Sequence, residues 1–598
     1  MSLEAHEKHA THHSYSEDIG ILGRPVLIST VALCALIAIV ITQLRSSGLS
    51  QDYDSLLRMV SVRDLMAGQS WFDTVQRRVL PPEGLDLHWS RLLDAVLAGL
   101  IIVLSWFLDA ETAEFVVMAV WPVFLLCFFC LVLALAINSR FGTKAATLTM
   151  LIAALSQLPR GFYFEPGYID HHNLQLVLMA AFSWAILHPG NKRKSGLGAG
   201  VAMALSLAIG LEAVGFFAMA IAFLVIRYVA VNGWETDRLI CFGLGLLVTA
   251  PLLFVAQTPF AEWFTMKCDV LGPPALIVTT AISLHCILLA IFARDAAPAR
   301  RLALASILTV VLALSLAPVL QVCSGGPYDM VSEEIQAIVI GEVLENQPLS
   351  FFFDNQLVQG TMMTVPFFSA ILLLAPTLGR GQQRDARAFL LILLGFGLAV
   401  GFLQARMMIW GWAILPAALG VGFADFIRSS KLNLLWLLRL VLVFVAIFPY
   451  SVGLLILQPW NLEPHQNAVS EASGNTRRCA TKADLEPLNA MSPAVLFNPI
   501  ETAPAILFYT HHSVTGASYH RSPLALEMGV KPFLYSDDKV LKDAVTNVNA
   551  DYVIVCRGQQ YGGEDSIGTR LANGEQLDWL LEIPVETTEG IRIMKIRR

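Results

Sequence analysis

The chain has 598 residues, 56% of them apolar and only 15% charged, with a mean hydropathy of +0.62. A soluble chain of this length carries roughly a quarter charged residues, so a purely soluble protein is excluded. The net charge of -7 is small and the basic residues lie scattered in short loops, which argues against nucleic acid as a partner.

Residues 1–24 are polar and rather acidic. The apolar run that follows is long and has no small-residue cleavage site, so it reads as a retained span rather than a removed signal peptide. Apolar runs of about 20 residues, the length that crosses a bilayer, recur from 26 to 457. The remainder is mixed in polarity with no spanning run. The expected organisation is a cytoplasmic tail over 1–26, a membrane domain over 27–458 with a large first outer loop at 46–92, and a soluble α/β domain over 459–598. Loops carrying Lys192, Arg193 and Lys194, then Arg227 and Arg238, Arg294, Arg300 and Arg301, Arg380, Arg384 and Arg387, and Arg428 and Lys431 fall on one side if the intervening spans are counted in pairs. The stretch 329–354 has carboxylates and no Lys or Arg. Segment 92–108 is apolar enough to span, yet a span there would put Arg140 and Lys144 outside and Asp170 inside. Reading it as a surface or re-entrant helix gives about thirteen spans, the N-terminus inside and the C-terminal domain outside. Cys479 and Cys556 both lie in that domain, where a disulfide and two free thiols are equal readings.

The first outer loop reads GLSQDYDSLLRMVSVRDL. Asp52 and Asp54 stand just past the first span, before a helical pattern carrying Arg58 and Arg63. Carboxylates at a membrane edge suit a hard divalent ion that bridges to phosphate; an N-cap in a solvated loop is the plainer alternative. The second outer loop, EPGYIDHHNLQLVLM, places Asp170, His171 and His172 at the entrance of a span. Carboxylate plus imidazole suits Mn²⁺ better than Mg²⁺, and an N-cap with interfacial histidines is again the alternative. The third piece, PYDMVSEEIQAIVIGEVLENQPLSFFF, is acidic and amphipathic through Glu333, Glu334, Glu342 and Glu345, a flap over a site or a solvated helix. In FLQARMMIWGWAILPA, Arg406 lies at the outer edge of two spans with no charged neighbour, either a phosphate ligand or a snorkelling side chain.

These four pieces, in this order and on one side, resemble the catalytic subunit of oligosaccharyltransferase, whose bacterial and archaeal single-subunit forms have the GT-C membrane fold. Asp52 precedes Arg58 by the family's six-residue interval, and Asp170 and His172 match its Asp-His-His variant. Glu345, in Val343-Leu344-Glu345-Asn346-Gln347-Pro348, falls on the family's acceptor-contacting glutamate. Arg406-Met407-Met408-Ile409 is similar to its phosphate-contacting Arg-Leu-Met-Leu. The family's Trp-Trp-Asp sequon pocket has no counterpart in 459–598.

The resemblance implies catalytic roles for Asp52, Asp170 and Glu345. It implies a Mn²⁺ or Mg²⁺ held by Asp52, Asp170 and His172, and donor phosphate held by Arg406 and Arg58. Asp54, His171, His88, His520 and Arg521 are candidate acceptor or sugar contacts. The implied reaction moves sugar from a polyprenyl-phosphate or diphosphate donor to a protein, lipid or polysaccharide acceptor, on the periplasmic face of a bacterial inner membrane. A single-sugar GT-C transferase using a polyprenyl monophosphate is the first alternative, and a transporter or flippase the second.

Overall fold

The computed structural model describes residues 49, 52–231, 235–326, 328–342, 346–379, 383–429, 434–457, 479–584 and 590–597. Among these, five helical segments are long and apolar enough to cross a bilayer: Ala110–Phe141, Thr236–Gln257, Pro273–Phe292, Pro298–Val322 and Leu357–Thr377. Two bent pairs, Ala405–Trp412 with Leu415–Ile427 and Trp436–Ile447 with Pro449–Ile456, raise the count to seven. Thr143–Leu155, His172–Leu187 and Val214–Ala230 are apolar but shorter. At a rise of about 1.5 Å per residue they fall short of a bilayer's ~30 Å. The count of thirteen is therefore not reached, and the apolar run beginning at residue 26 lies outside the described residues. The chain is a multi-pass membrane protein.

Close helix packing comes from small residues. A Cβ on Gly200 would stand 2.4 Å from the Phe242 carbonyl oxygen, and one on Gly196 2.4 Å from that of Arg238, so Lys192–Ile209 lies backbone to backbone on Thr236–Gln257. At one end of the bundle Arg227 pairs with Glu235 (3.1 Å) and Asp385 (3.0 Å), Arg140 with Asp385 (2.6 Å), and Lys192 with Glu235 (3.3 Å). Basic loops that the sequence assigned to one side thus meet in one ion-pair network.

Helix Arg91–Leu104 is only 14 residues long. At its start Arg91 bonds Asp94 and the Ser61 carbonyl; just beyond its end Glu111 meets Lys482 and Glu114 meets Arg63. Both flanks therefore touch the first loop, and the far one also reaches the C-terminal segment. The exposed Trp106 (73%) and Phe107 (80%) at its end suit contact with the membrane surface.

The first loop and the C-terminal segment share one core. Leu56, Leu57, Val60, Val79, Leu85 and Trp89 pack with Leu496, Ile506, Val514, Ile554 and Ile593. A short hairpin of β1 (Val75–Gln76) and β2 (Leu85–Asp86) precedes a five-stranded mixed sheet of order β4-β3-β5-β7-β6, with β3 Val495–Phe497, β4 Ser513–Val514, β5 Tyr552–Cys556, β6 Leu580–Glu582 and β7 Ile591–Ile596. The first loop docks on edge strand β4, where Leu80 N–H donates to the Val514 carbonyl at 2.7 Å and Val514 N–H to that of Arg78 at 2.8 Å. Two of its arginines serve this joint: Arg78 donates to the carbonyls of Leu507 (2.6 Å) and Thr510 (2.8 Å), and Arg63 to that of Phe508 (2.7 Å). That is a structural reason for positive charge in this loop.

Cys479 and Cys556 form a disulfide, and so do Cys268 and Cys323, a pairing the sequence did not suggest. Cys127 and Cys130, three positions apart within the long apolar helix, remain thiols. The Cys479–Cys556 bridge closes a separation of 77 residues, so replacing both cysteines by alanine costs about 2–4 kcal/mol of C-terminal stability. Denaturant titration followed by tryptophan fluorescence reads this as an earlier midpoint, and an unchanged midpoint would contradict it.

Burial pushes the Glu501 carboxyl from 4.5 up to about 7, and Gln559 Nε2 donates to it at 3.2 Å. The folded-state value lies above the unfolded one. The stabilisation tied to its protonated form is therefore complete below about pH 4.5 and is lost as pH rises through about 7. Glu501→Gln should flatten the fall in melting temperature between about pH 5 and 8; identical slopes in the two proteins would refute this.

Candidate functional site

Asp52 caps helix Tyr53–Met66, its Oδ2 accepting from the Ser55 N–H (3.0 Å) and hydroxyl (2.8 Å). The Ser55 hydroxyl in turn accepts from the N–H groups of Ile169 (3.0 Å) and Asp170 (3.2 Å). One serine thus locks the two loops to each other. Asp54 accepts from the Tyr519 hydroxyl at 2.8 Å, which ties it to the C-terminal segment.

Asp170 is fully buried at the entrance to helix His172–Leu187. Its Oδ1 meets Arg58 Nη2 (3.0 Å) and His171 Nδ1 (2.7 Å), and its Oδ2 meets His172 Nδ1 (2.6 Å). On the far side of the ring, His172 Nε2 faces Arg406 Nη2 at 3.0 Å. A guanidinium can only donate, so Nε2 accepts and Nδ1 carries the hydrogen that reaches Asp170. His172 also stacks between Tyr163 (5.3 Å) and Trp410 (6.1 Å). His171 meets carboxylates at both nitrogens, Asp170 at 2.7 Å and Glu212 at 3.1 Å, which suits a doubly protonated ring.

The electrostatics follow this geometry. Burial opposes charge on His171, but Asp170 and Glu212 overcome it and lift the ring to about 9. Burial would raise Asp170, yet the two histidines hold it well below the usual carboxylate range. Asp52 goes the other way, pushed up to about 7 by burial and by the charges of Asp54 and Asp170. Asp54 is raised by burial and by Asp170. Asp52 and Asp54 are met by neutral hydroxyl and backbone N–H donors, a costly arrangement that a hard divalent ion would offset, whereas Asp170 already meets Arg58 and the charged His171. The fit is to the carboxylates: Asp170, His171 and His172 place ligand atoms within 4.8 Å of one another, Asp52 is not in that group, and the Nε2 of His172 is turned to Arg406.

Arg58 is 1% exposed and holds Asp94 (3.1 Å) and Asp170 (3.0 Å) while lying 4.6 Å over the Trp89 ring. It positions Asp170 from behind rather than facing open space. Glu345 lies outside the described residues. Just after it, Asn346 Oδ1 accepts from Gln404 Nε2 (2.6 Å) and the Gln347 carbonyl from Ala405 N–H (2.9 Å), which sets that segment beside Arg406. The acidic helix Glu333–Glu342 docks on the C-terminal segment through Val331, Ile335 and Val339 against Leu526 and Val530, with Glu334 paired to Lys531 at 2.9 Å.

His88, His520 and Arg521 gather at a second place. His520 Nε2 meets Asp269 Oδ2 at 2.8 Å, Arg521 grips both Asp269 oxygens (2.7 and 3.0 Å) and reaches Asp86 (2.9 Å), and the His88 ring lies 4.8 Å from that of His520. A cavity lined by His88, Trp89, His171, Glu212 and Asp269 connects the two places. Sequence reasoning missed Glu212 and Asp269. Glu212 carried a signal, a lone carboxylate in an apolar stretch, whereas the partners of Asp269 lie about 250 residues away in the chain.

The sequence matches no protein-family model and no curated protein. Solved structures do match. The archaeal oligosaccharyltransferase AglB from Archaeoglobus fulgidus, in complex with an inhibitory peptide and a dolichol-phosphate, aligns with a TM-score of 0.64 over 93% of this chain and 72% of that one, at 14% identity. The same archaeal enzyme tethered to an acceptor peptide containing the NVT sequon aligns at 0.63 over 95% and 74%, at 13% identity. The chain has the GT-C fold. ArnT from Cupriavidus metallidurans, bound to undecaprenyl phosphate, covers 94% of this chain and 97% of its own at 13% identity, but with a TM-score of 0.45. At these identities the likeness establishes the GT-C fold, and the chemistry rests on the residues themselves.

Proposed function

We propose that the protein is a membrane glycosyltransferase that moves a sugar or oligosaccharide from a polyprenyl-phosphate or diphosphate donor to an acceptor. The observation that carries this reading is the convergence of Asp52, Asp54 and Asp170 with His172 and Arg406 at one end of a GT-C bundle. AglB and ArnT, which share that architecture, were solved with dolichol-phosphate and undecaprenyl phosphate, and AglB also with zinc and sulfate. The two disulfides support placing this end of the bundle in an oxidising compartment, the periplasm of a bacterial inner-membrane protein. Counting the three shorter helices, Lys192–Ile209, Arg384–Gly401 and the first apolar run as spans beside those seven would give the thirteen-span topology.

In the reaction, the acceptor heteroatom bonds to the anomeric carbon as the bond from that carbon to the donor phosphate oxygen breaks. The phosphate leaves with the electron pair, and the acceptor proton passes to a carboxylate. Asp52 and Asp170 would hold a divalent ion, which would supply charge that offsets the leaving phosphate. Arg406, half-buried at the mouth of the site, donates to the same phosphate. Arg58, His171 and Ser55 fix Asp170 and its loop, and Tyr519 orients Asp54. Glu345, one position before Asn346 in the chain, addresses the acceptor.

The missing Trp-Trp-Asp favours a second form of this reading, transfer of one sugar from a polyprenyl monophosphate to lipid or polysaccharide. Donor consumption by the purified protein tests both, with Mn²⁺ or with chelator, and with sequon peptide, lipid extract or polysaccharide as acceptor. Metal-dependent consumption with one acceptor class supports the proposal and selects its form, whereas no consumption under any of these conditions would refute it.

A further inference from the structure

The second cluster does not belong to the donor chemistry above. His88 comes from the first loop, Asp269 from the stretch after helix Thr236–Gln257, and His520 from the C-terminal segment. Their ligand atoms lie within 4.8 Å of one another. His88 Nδ1 is buried with no hydrogen-bond partner among the described residues, although its ring lines the cavity shared with Glu212 and Asp269. A buried imidazole nitrogen left without a partner costs about 1–3 kcal/mol, so its retention here needs a compensating ligand.

We infer that His88, Asp269 and His520 bind a divalent ion of the zinc class, distinct from the cation held by the Asp52–Asp170 cluster. Two imidazoles and one carboxylate form a borderline-soft donor set, which selects Zn²⁺ over Mg²⁺ or Ca²⁺ and leaves a fourth position open toward the cavity. The outer contacts are those of a metal centre. Arg521 Nε and Nη2 hold Asp269 through both oxygens, fixing the carboxylate while leaving a lone pair to spare. The Cys268–Cys323 disulfide anchors the chain one residue before Asp269. Without the ion, His520 Nε2 bonds to Asp269 Oδ2 at 2.8 Å. On binding, any proton between them is released and both atoms turn to the metal. Arg521 and Lys267 oppose a cation here, but Asp86 answers both, at 2.9 and 3.4 Å. The ion would clamp three chain segments over the cavity wall that also carries His171 and Glu212.

The test uses the full-length protein in detergent, stripped with chelator and titrated with zinc against a chromophoric competitor, with melting temperature read in parallel. Wild type and Asp170→Asn, which disables the other cluster, should each bind one tight zinc per chain and melt higher when it is bound. His88→Gln and His520→Gln, each confirmed as a monodisperse folded protein, should bind it at least tenfold more weakly and lose the melting shift. Tight zinc retained in both histidine variants, no tight zinc in wild type, or loss confined to Asp170→Asn would each overturn the assignment. Donor consumption does not enter this test, so its failure is separable from failure of the proposed transferase activity.

Discussion

Asp170→Asn should lower single-turnover consumption of a polyprenyl-linked sugar donor by at least ~10³-fold, in line with the loss of a charge that holds a catalytic cation. The side-chain volume is nearly unchanged, but three charged or polar partners lose their anion together: Arg58, His171 and His172. The amide also turns a donor toward at least one of them. Donor binding should change far less than turnover, because Arg406 reaches the phosphate without Asp170. Titrating labelled donor beside the turnover assay separates the two, and a variant within tenfold of wild type in turnover would remove Asp170 from the chemistry.

Arg58→Met should destabilise the protein by about 3–5 kcal/mol, the range for stripping one partner from a buried ion pair. The guanidinium bonds two buried carboxylates, on Asp94 and Asp170, and stacks on Trp89. Removing it leaves both anions short of compensation and loosens the floor of the site. Arg58→Lys should recover only part of the loss, because a point charge cannot fork between two carboxylates. The half-life of thermal inactivation in detergent, with protection from limited proteolysis, reads the effect without assuming two-state unfolding. A half-life equal to wild type would mean that Arg58 stays accessible to the donor instead.

What the sequence made legible was charge standing against an apolar background. Asp52, Asp170, His171, His172 and Arg406 each interrupt or border an apolar run, and the structure gathers the last four through direct contacts, with Asp52 joined to Asp170 by way of Ser55. That these basic loops share one end of the bundle was legible for the same reason, and Arg140, Lys192 and Arg227 meet around Glu235 and Asp385. What stayed hidden depends on tertiary folding. The arginines of the first loop look like ligands for an anion, but Arg63 and Arg78 serve the carbonyl groups of a C-terminal helix more than 400 positions away. Asp269 has no local signal at all until Arg521 folds onto it. By length alone the described residues give five to seven spans, because three apolar runs form helices of only 13–17 residues.

The most direct measurement is a manganese anomalous difference map of the protein crystallised with Mn²⁺ and a polyprenyl phosphate. The account predicts a peak among Asp52, Asp54 and Asp170, with the lipid phosphate between that peak and Arg406. Manganese away from these carboxylates, or phosphate bound where Arg406 does not reach it, would contradict the assignment of this cluster as the catalytic centre.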